Sequence, residues 1–203
     1  YLDRRKTFAK IAEYNRKIDE SIEVASRIQN SVFNRETELA ALFSDHLVFN
    51  KPRDGVSGDF YWFAESNNKV ILAVSDCTGH GVPGCLLSLL GNQLLHEIVL
   101  EKRITSPDEV LMLLHERLVK HLQQDKNFSA EGGMDISVCE IDKGSKTINF
   151  AGARSSMYTL EGGELQSYNG DFLPIGGMGL RTRKKIERKY KTQTINYKDG
   201  DSI

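Results

Sequence analysis

The sequence predicts an α+β fold: an antiparallel β-sandwich flanked by helices and preceded by a long N-terminal linker helix. Three observations carry this. Residues 1–33 hold neither Gly nor Pro and repeat apolar residues at helical spacing. Strand-like runs fall in two groups, one before and one after a pair of helical segments, without the strict alternation of a doubly wound sheet. The length of 203 residues suits a single domain of ~100–200 residues with its own core. The expected division is a linker helix over 1–33 and a folded domain over 34–203.

In chain order, Ile11, Tyr14, Ile18, Ala25, Ile28 and Val32 occupy a/d-like positions, with Ser21 at one d position and Ile22 beside it. Two readings stand side by side: a helix lying on the domain's own core, and a two-stranded coiled coil that pairs two copies into a homodimer. Leu47-Val48-Phe49 reads as a short strand ended by Pro52. Asp59 to Phe63 and Lys69 to Ser75 flank an Asn67-Asn68 turn as a hairpin. Pro83 and Gly84 introduce helically spaced leucines through Val99. Ser106 is placed to cap a second helix, with Pro107 at its first position, running to Leu122. After Gly132-Gly133 come four strands: Met134 to Ile141, Thr147 to Ala151, Ser156 to Leu160 and Glu164 to Tyr168.

Composition excludes several classes. With 39% hydrophobic residues, 27% charged and four prolines, the chain is neither disordered nor collagen-like. A net charge of −1 gives no global field toward nucleic acid or anionic lipid. Residues 181–191 are a local exception, carrying +6. They read as a solvated strand face, with docking of an acidic partner as the lesser alternative and no nucleic-acid motif beside them. Cys77, Cys85 and Cys139 form no paired framework, which points to reduced thiols in a cytoplasmic setting. The longest apolar run, Val70 to Val74, is far short of the ~20 residues a bilayer requires. The chain starts at Tyr1 inside a helical pattern, so it reads as a segment of a longer protein with any membrane anchor upstream.

The densest group of unusual residues is Asp54-Gly55-Val56-Ser57-Gly58-Asp59, followed one hairpin later by Ser75 to Gly84. In an antiparallel hairpin the start of one strand lies beside the end of the other, so Asp59 and Asp76 converge. Two facing carboxylates repel, and a hard divalent cation relieves them. Oxygen ligands favour Mg²⁺, Mn²⁺ or Ca²⁺ over zinc, and Mg²⁺ or Mn²⁺ is the choice here. Turn and cap duty for both aspartates is the competing reading, since Asp-Gly-rich turns are common.

Val56-Ser57-Gly58-Asp59-Phe60-Tyr61-Trp62, the run Val74 to Gly84, Gly133-Met134-Asp135-Ile136-Ser137, and Ala151-Gly152-Ala153 before Leu-Pro-Ile-Gly-Gly at 173–177 resemble the SpoIIE-like branch of the metal-dependent (PPM, type 2C) serine/threonine protein phosphatases. The resemblance covers the chain from about residue 20 to its end, and Arg27-Ile28-Gln29 resembles the linker that precedes such domains. It implies hydrolysis of phosphoserine or phosphothreonine on a small anti-sigma-factor-antagonist type of protein, by the output domain of a bacterial signalling protein. It implies that Asp59 holds one metal, that Asp76 bridges two, and that the backbone carbonyl of Cys77 completes a ligand set. Two metals acidify a shared water for in-line attack on phosphorus. A partner-binding module of the same fold without hydrolysis is the alternative.

The sequence departs from the family at later positions. Metal-binding aspartates expected from an S/T-D-G strand and a D-D-x-T motif are missing, and Lys198 to Ile203 resembles the turn that leads into that strand. The expectation is that the 203-residue chain by itself binds metal weakly and turns over little. His80 is read as a loop histidine bonded to backbone, with phosphate contact as the lesser alternative. Asp135 is read as structural and Trp62 as a core residue.

Overall fold

A computed structural model describes residues 2–33, 35–124, 132–177 and 188–203. Helix α1 spans Leu2–Phe33. Its described side chains through Ser21 are all exposed, whereas Ile22, Ala25, Ser26, Gln29, Val32 and Phe33 turn inward at the i, i+3, i+4 spacing of a helix face. The reading of α1 as a helix on the domain's own core holds for its last three turns; the earlier turns do not lie on the domain. A short helix α2, Glu36–Leu42, follows; its seven residues carry no signal strong enough to be seen in the sequence.

Strands β1 (Phe60–Ser66) and β2 (Lys69–Cys77) form the expected hairpin. Asn67 and Asn68 have φ of 53° and 63°, the left-handed pair that a two-residue turn between twisted strands requires. Helix α3 (Val82–His96) runs into a π-helical turn, Glu97–Glu101, and α4 covers Pro107–His121. Strands β3 (Gly133–Asp142), β4 (Thr147–Ala153), β5 (Met157–Glu161) and β6 (Glu164–Tyr168) agree with the sequence to within one residue at each end, apart from the C-terminal end of β4, which runs two residues further. The two-residue β7 (Ile175–Gly176) and β8 (Gln193–Asn196) complete the set.

The main sheet is antiparallel, in the order β1-β2-β3-β4-β8 with β7 beside β3. Period-two alternation divides its residues between two cores. Phe60, Trp62, Ile71, Ala73, Met134, Ile136 and Val138 face α3 and α4. Val70, Cys139, Ile141, Ile148 and Phe150 face the opposite side, where the β5–β6 hairpin supplies Met157 and forms the second layer of the sandwich. A Cβ at Gly91 would sit 2.9 Å from Phe60 Cζ and 3.0 Å from the Met134 methyl, so α3 crosses the sheet at contact distance there.

Two sequence expectations are corrected. Leu47-Val48-Phe49 is not a strand; Leu47 and Phe49 are 92% and 87% exposed, because a three-residue run followed by Pro52 finds no ladder to join. Ser106 does precede α4, but its hydroxyl bonds Asp108 Oδ1 at 2.5 Å instead of a backbone N–H. Of the basic stretch, residues 181–187 lie outside the described residues. Arg188 is turned inward, donating to the carbonyl of Gly176 at 3.3 Å.

Candidate active site

The hairpin register determines which acids meet. Phe60 pairs with Ser75, so Asp59, one residue before β1, lies opposite Asp76 in β2. The two carboxyls interact directly: burial, the charge of Asp76 and a hydrogen bond with Asp76 push the Asp59 carboxyl above the usual carboxylate range. The next strand continues the row, since Asp76 pairs with Asp135. Burial raises the Asp135 carboxyl too, the Arg154 guanidinium opposes that, and the charge of Asp76 adds to it. Arg154 Nε lies 3.5 Å from Asp135 Oδ2. Asp135, read as structural in the sequence, thus stands at the end of the acidic row with Arg154 beside it.

A buried polar clamp holds the segment that leads into Asp59. Gln29 on α1 donates Nε2 to the Ser57 carbonyl at 2.7 Å and to Ser88 Oγ at 3.0 Å, and its Oε1 accepts the Ser57 N–H at 2.9 Å. Ser88 on α3 donates to the Cys85 carbonyl at 2.8 Å. Ser57 Oγ accepts the Asp59 N–H at 3.0 Å. One amide therefore ties α1, α3 and the Asp59 segment together. Its role was not visible in the sequence; the available signal was a polar side chain on the inward face of an otherwise apolar helix stripe.

The loop after β2 is held by backbone crowding. A Cβ at Gly58 would meet the carbonyls of Cys77 and Gly79 at 3.1 Å, and one at Gly84 would meet the Gly79 carbonyl at 2.6 Å. The chain at 77–79 is wedged between two positions that only glycine fills comfortably. Thr78 N–H donates to the Gly133 carbonyl at 2.9 Å and locks the loop to β3. The Cys77 thiol is buried, and burial pushes it up to about 12, so the side chain is a core group while its carbonyl faces the Asp59 segment. His80 does not bond backbone as expected; its Nδ1 lies 2.8 Å from Asp54 Oδ2, and both are substantially exposed. An open groove of about 420 Å³, lined in part by Thr78, Gly79, Pro83, Leu86, Leu87 and Leu90, runs beside this loop.

The donors suit a hard cation. Two facing carboxylates, one of them destabilised as an anion by the other, lie close in the chain to a backbone carbonyl held against a glycine. Among the described residues no group of three His, Cys, Asp or Glu side chains is arranged to hold a metal ion. Among them also, no helix is long and apolar enough to cross a membrane.

A helix-flanked antiparallel sheet led by a long N-terminal helix is the PP2C-like fold. The model of the Stage II sporulation protein E (SpoIIE) family matches residues 66–203, and the chain belongs to that family. Among solved structures, the SiaA-PP2C domain of Pseudomonas aeruginosa is 27% identical with a TM-score of 0.79, over 94% of this chain and 71% of that one. The PP2C phosphatase domain of SpoIIE from Bacillus subtilis, solved with a fragment of its regulatory domain, is 20% identical with a TM-score of 0.54, over 72% of this chain and 40% of that one. RsbX in complex with magnesium is also 20% identical, with a TM-score of 0.51, over 75% and 67%. The last two show the shared fold. No curated protein matches the chain.

Proposed function

We propose that the chain is the phosphatase domain of a bacterial signalling protein, hydrolysing phosphoserine or phosphothreonine on a small regulatory protein of the anti-sigma-factor-antagonist type. The observation that carries this is the meeting of Asp59 and Asp76 across the β1–β2 hairpin, with the Asp59 carboxyl raised by its partner. Asp59, Asp76 and the Cys77 carbonyl would hold Mn²⁺ or Mg²⁺; magnesium in the RsbX relative supports that choice. When bound, such cations acidify water and neutralise charge developing on phosphoryl oxygens. The chain's own part is positional. Ser57 fixes the Asp59 backbone, and the wedged loop fixes the Cys77 carbonyl. Cys77 is not the nucleophile, since a thiol near 12 stays protonated at neutral pH.

In the full-length protein, Asp76→Asn should lower kcat/KM on a phosphoserine peptide with Mn²⁺ by on the order of 10³, the loss expected when several kcal/mol of charge stabilisation disappears. Unchanged turnover would refute the reading. The second reading is a partner-binding module of the same fold without hydrolysis. Under that reading the wild type binds the phosphorylated partner but does not turn it over.

A further inference from the structure

Arg154 is the cation at the end of the acidic row, and the contacts it makes leave it underused. Among the described residues its guanidinium has one ionic contact, Nε to Asp135 Oδ2 at 3.5 Å, which is longer than a hydrogen bond to a charged group. The side chain is 55% exposed, so the donors of its planar fork remain available to a ligand. Arg53 is 74% exposed and pairs with Asp54 at 3.7 Å.

The mount under Arg154 is stiff. The residue follows β4 with φ of 53°, a left-handed conformation that an arginine seldom adopts. Its N–H donates to the Asp171 carbonyl at 2.7 Å, and Asp171 N–H donates to the Gly152 carbonyl at 2.8 Å. Gly152 and Gly170 are pressed so closely to the Ser155 carbonyl that a Cβ on either would stand 2.1 or 2.3 Å from it. The bend therefore projects one half-exposed guanidinium to the rim of Asp135, one strand away from Asp76.

We infer that Arg154 binds the phosphoryl group of the substrate, taking its non-bridging oxygens while the ester lies over Asp59 and Asp76. This rests on the phosphatase reading above and adds the group that recognises phosphate independently of the peptide around it. A guanidinium suits that task because its fork matches two phosphoryl oxygens at once, which a lysine ammonium does not. Asp135 holds the fork in place when the site is empty, through a contact weak enough to be surrendered to a phosphate dianion.

The test uses the full-length protein with Mn²⁺ and two variants, Arg154→Gly, which suits the left-handed backbone and so folds, and Arg154→Lys. Inorganic phosphate binding, read by calorimetry, should weaken about tenfold in Arg154→Gly, the loss typical of a charge-assisted contact, and recover only in part in Arg154→Lys. KM should rise by a similar factor for both p-nitrophenyl phosphate and a phosphoserine peptide, with Mn²⁺ affinity unchanged. Unaltered phosphate binding in the folded glycine variant would overturn the inference. So would a KM rise confined to the peptide, or restoration of phosphate binding by adding Asp135→Asn to Arg154→Gly, which would reduce Arg154 to a screen for Asp135. Failure of the phosphatase reading itself is separately visible, as turnover that survives Asp76→Asn.

Discussion

At the scale of single residues the aspartate pair has a pH signature. The Asp59 carboxyl is raised in the fold, chiefly by burial and then by Asp76, above the value of about 3.9 it has in an unfolded chain. The folded state therefore holds that proton more tightly. The stabilisation is complete below the unfolded pKa and lost as pH rises through the folded one. In the presence of EDTA, Asp59→Asn should raise the thermal midpoint at about pH 7, where the wild-type anion is penalised, and should give no gain at about pH 3. Added Mn²⁺ should reverse the order, stabilising the wild type by mass action and the variant far less. Differential scanning fluorimetry across pH, with and without metal, reads both effects. Asp59 and Asp76 were legible in the sequence because a two-residue Asn-Asn turn determines the register, and register determines which side chains face each other. Arg154 was not legible, since its place beside Asp135 depends on a bend after β4 whose geometry comes from Gly152, Gly170 and Asp171.

At the scale of elements, α1 and α3 are joined to the acid pair through the Gln29 amide. Gln29→Ala would leave the buried Ser57 N–H without its partner and the Ser57 carbonyl with only the longer bond from Ser88 Oγ at 3.3 Å, at a cost of about 1–3 kcal/mol. It should also lower turnover, because Ser57 supports the Asp59 backbone. Urea unfolding and a phosphopeptide assay together check this; a loss of stability with full turnover would show the clamp to be purely structural. Gly84→Ala should be harsher locally, driving a methyl group to 2.6 Å from the Gly79 carbonyl and shifting the loop that presents Cys77. Helices α3 and α4, the β1–β2 hairpin and strands β3 to β6 were all readable from periodicity and turn residues. The elements that escaped are α2, β7 and β8, with seven, two and four residues. Segments that short carry at most about two periods of their pattern, two helical turns in α2 and two alternations in β8, too few to stand out from the background. Leu47-Val48-Phe49 shows the converse, an apolar run with no partner strand to order it.

At the scale of the whole molecule, the unburied part of α1 carries exposed apolar residues. Phe8, Ile11, Tyr14 and Ile18 are 49–70% exposed on a helix whose other end is fastened to the domain. Their heptad-like spacing leads to the expectation that two copies pair along this part. Sedimentation equilibrium should find a concentration-dependent dimer that Ile18→Glu shifts to monomer; a wild type that stays monomeric at every concentration would refute it. Cys77, Cys85 and Cys139 have a different consequence. All three are buried, on β2, α3 and β3, and Cys77 and Cys139 are lifted to about 12. An alkylating reagent meets a thiolate only after the surrounding element opens. Iodoacetamide followed by peptide mass analysis would thus time the breathing of the hairpin, the helix layer and the central strand one by one, using reporters that the chain already contains.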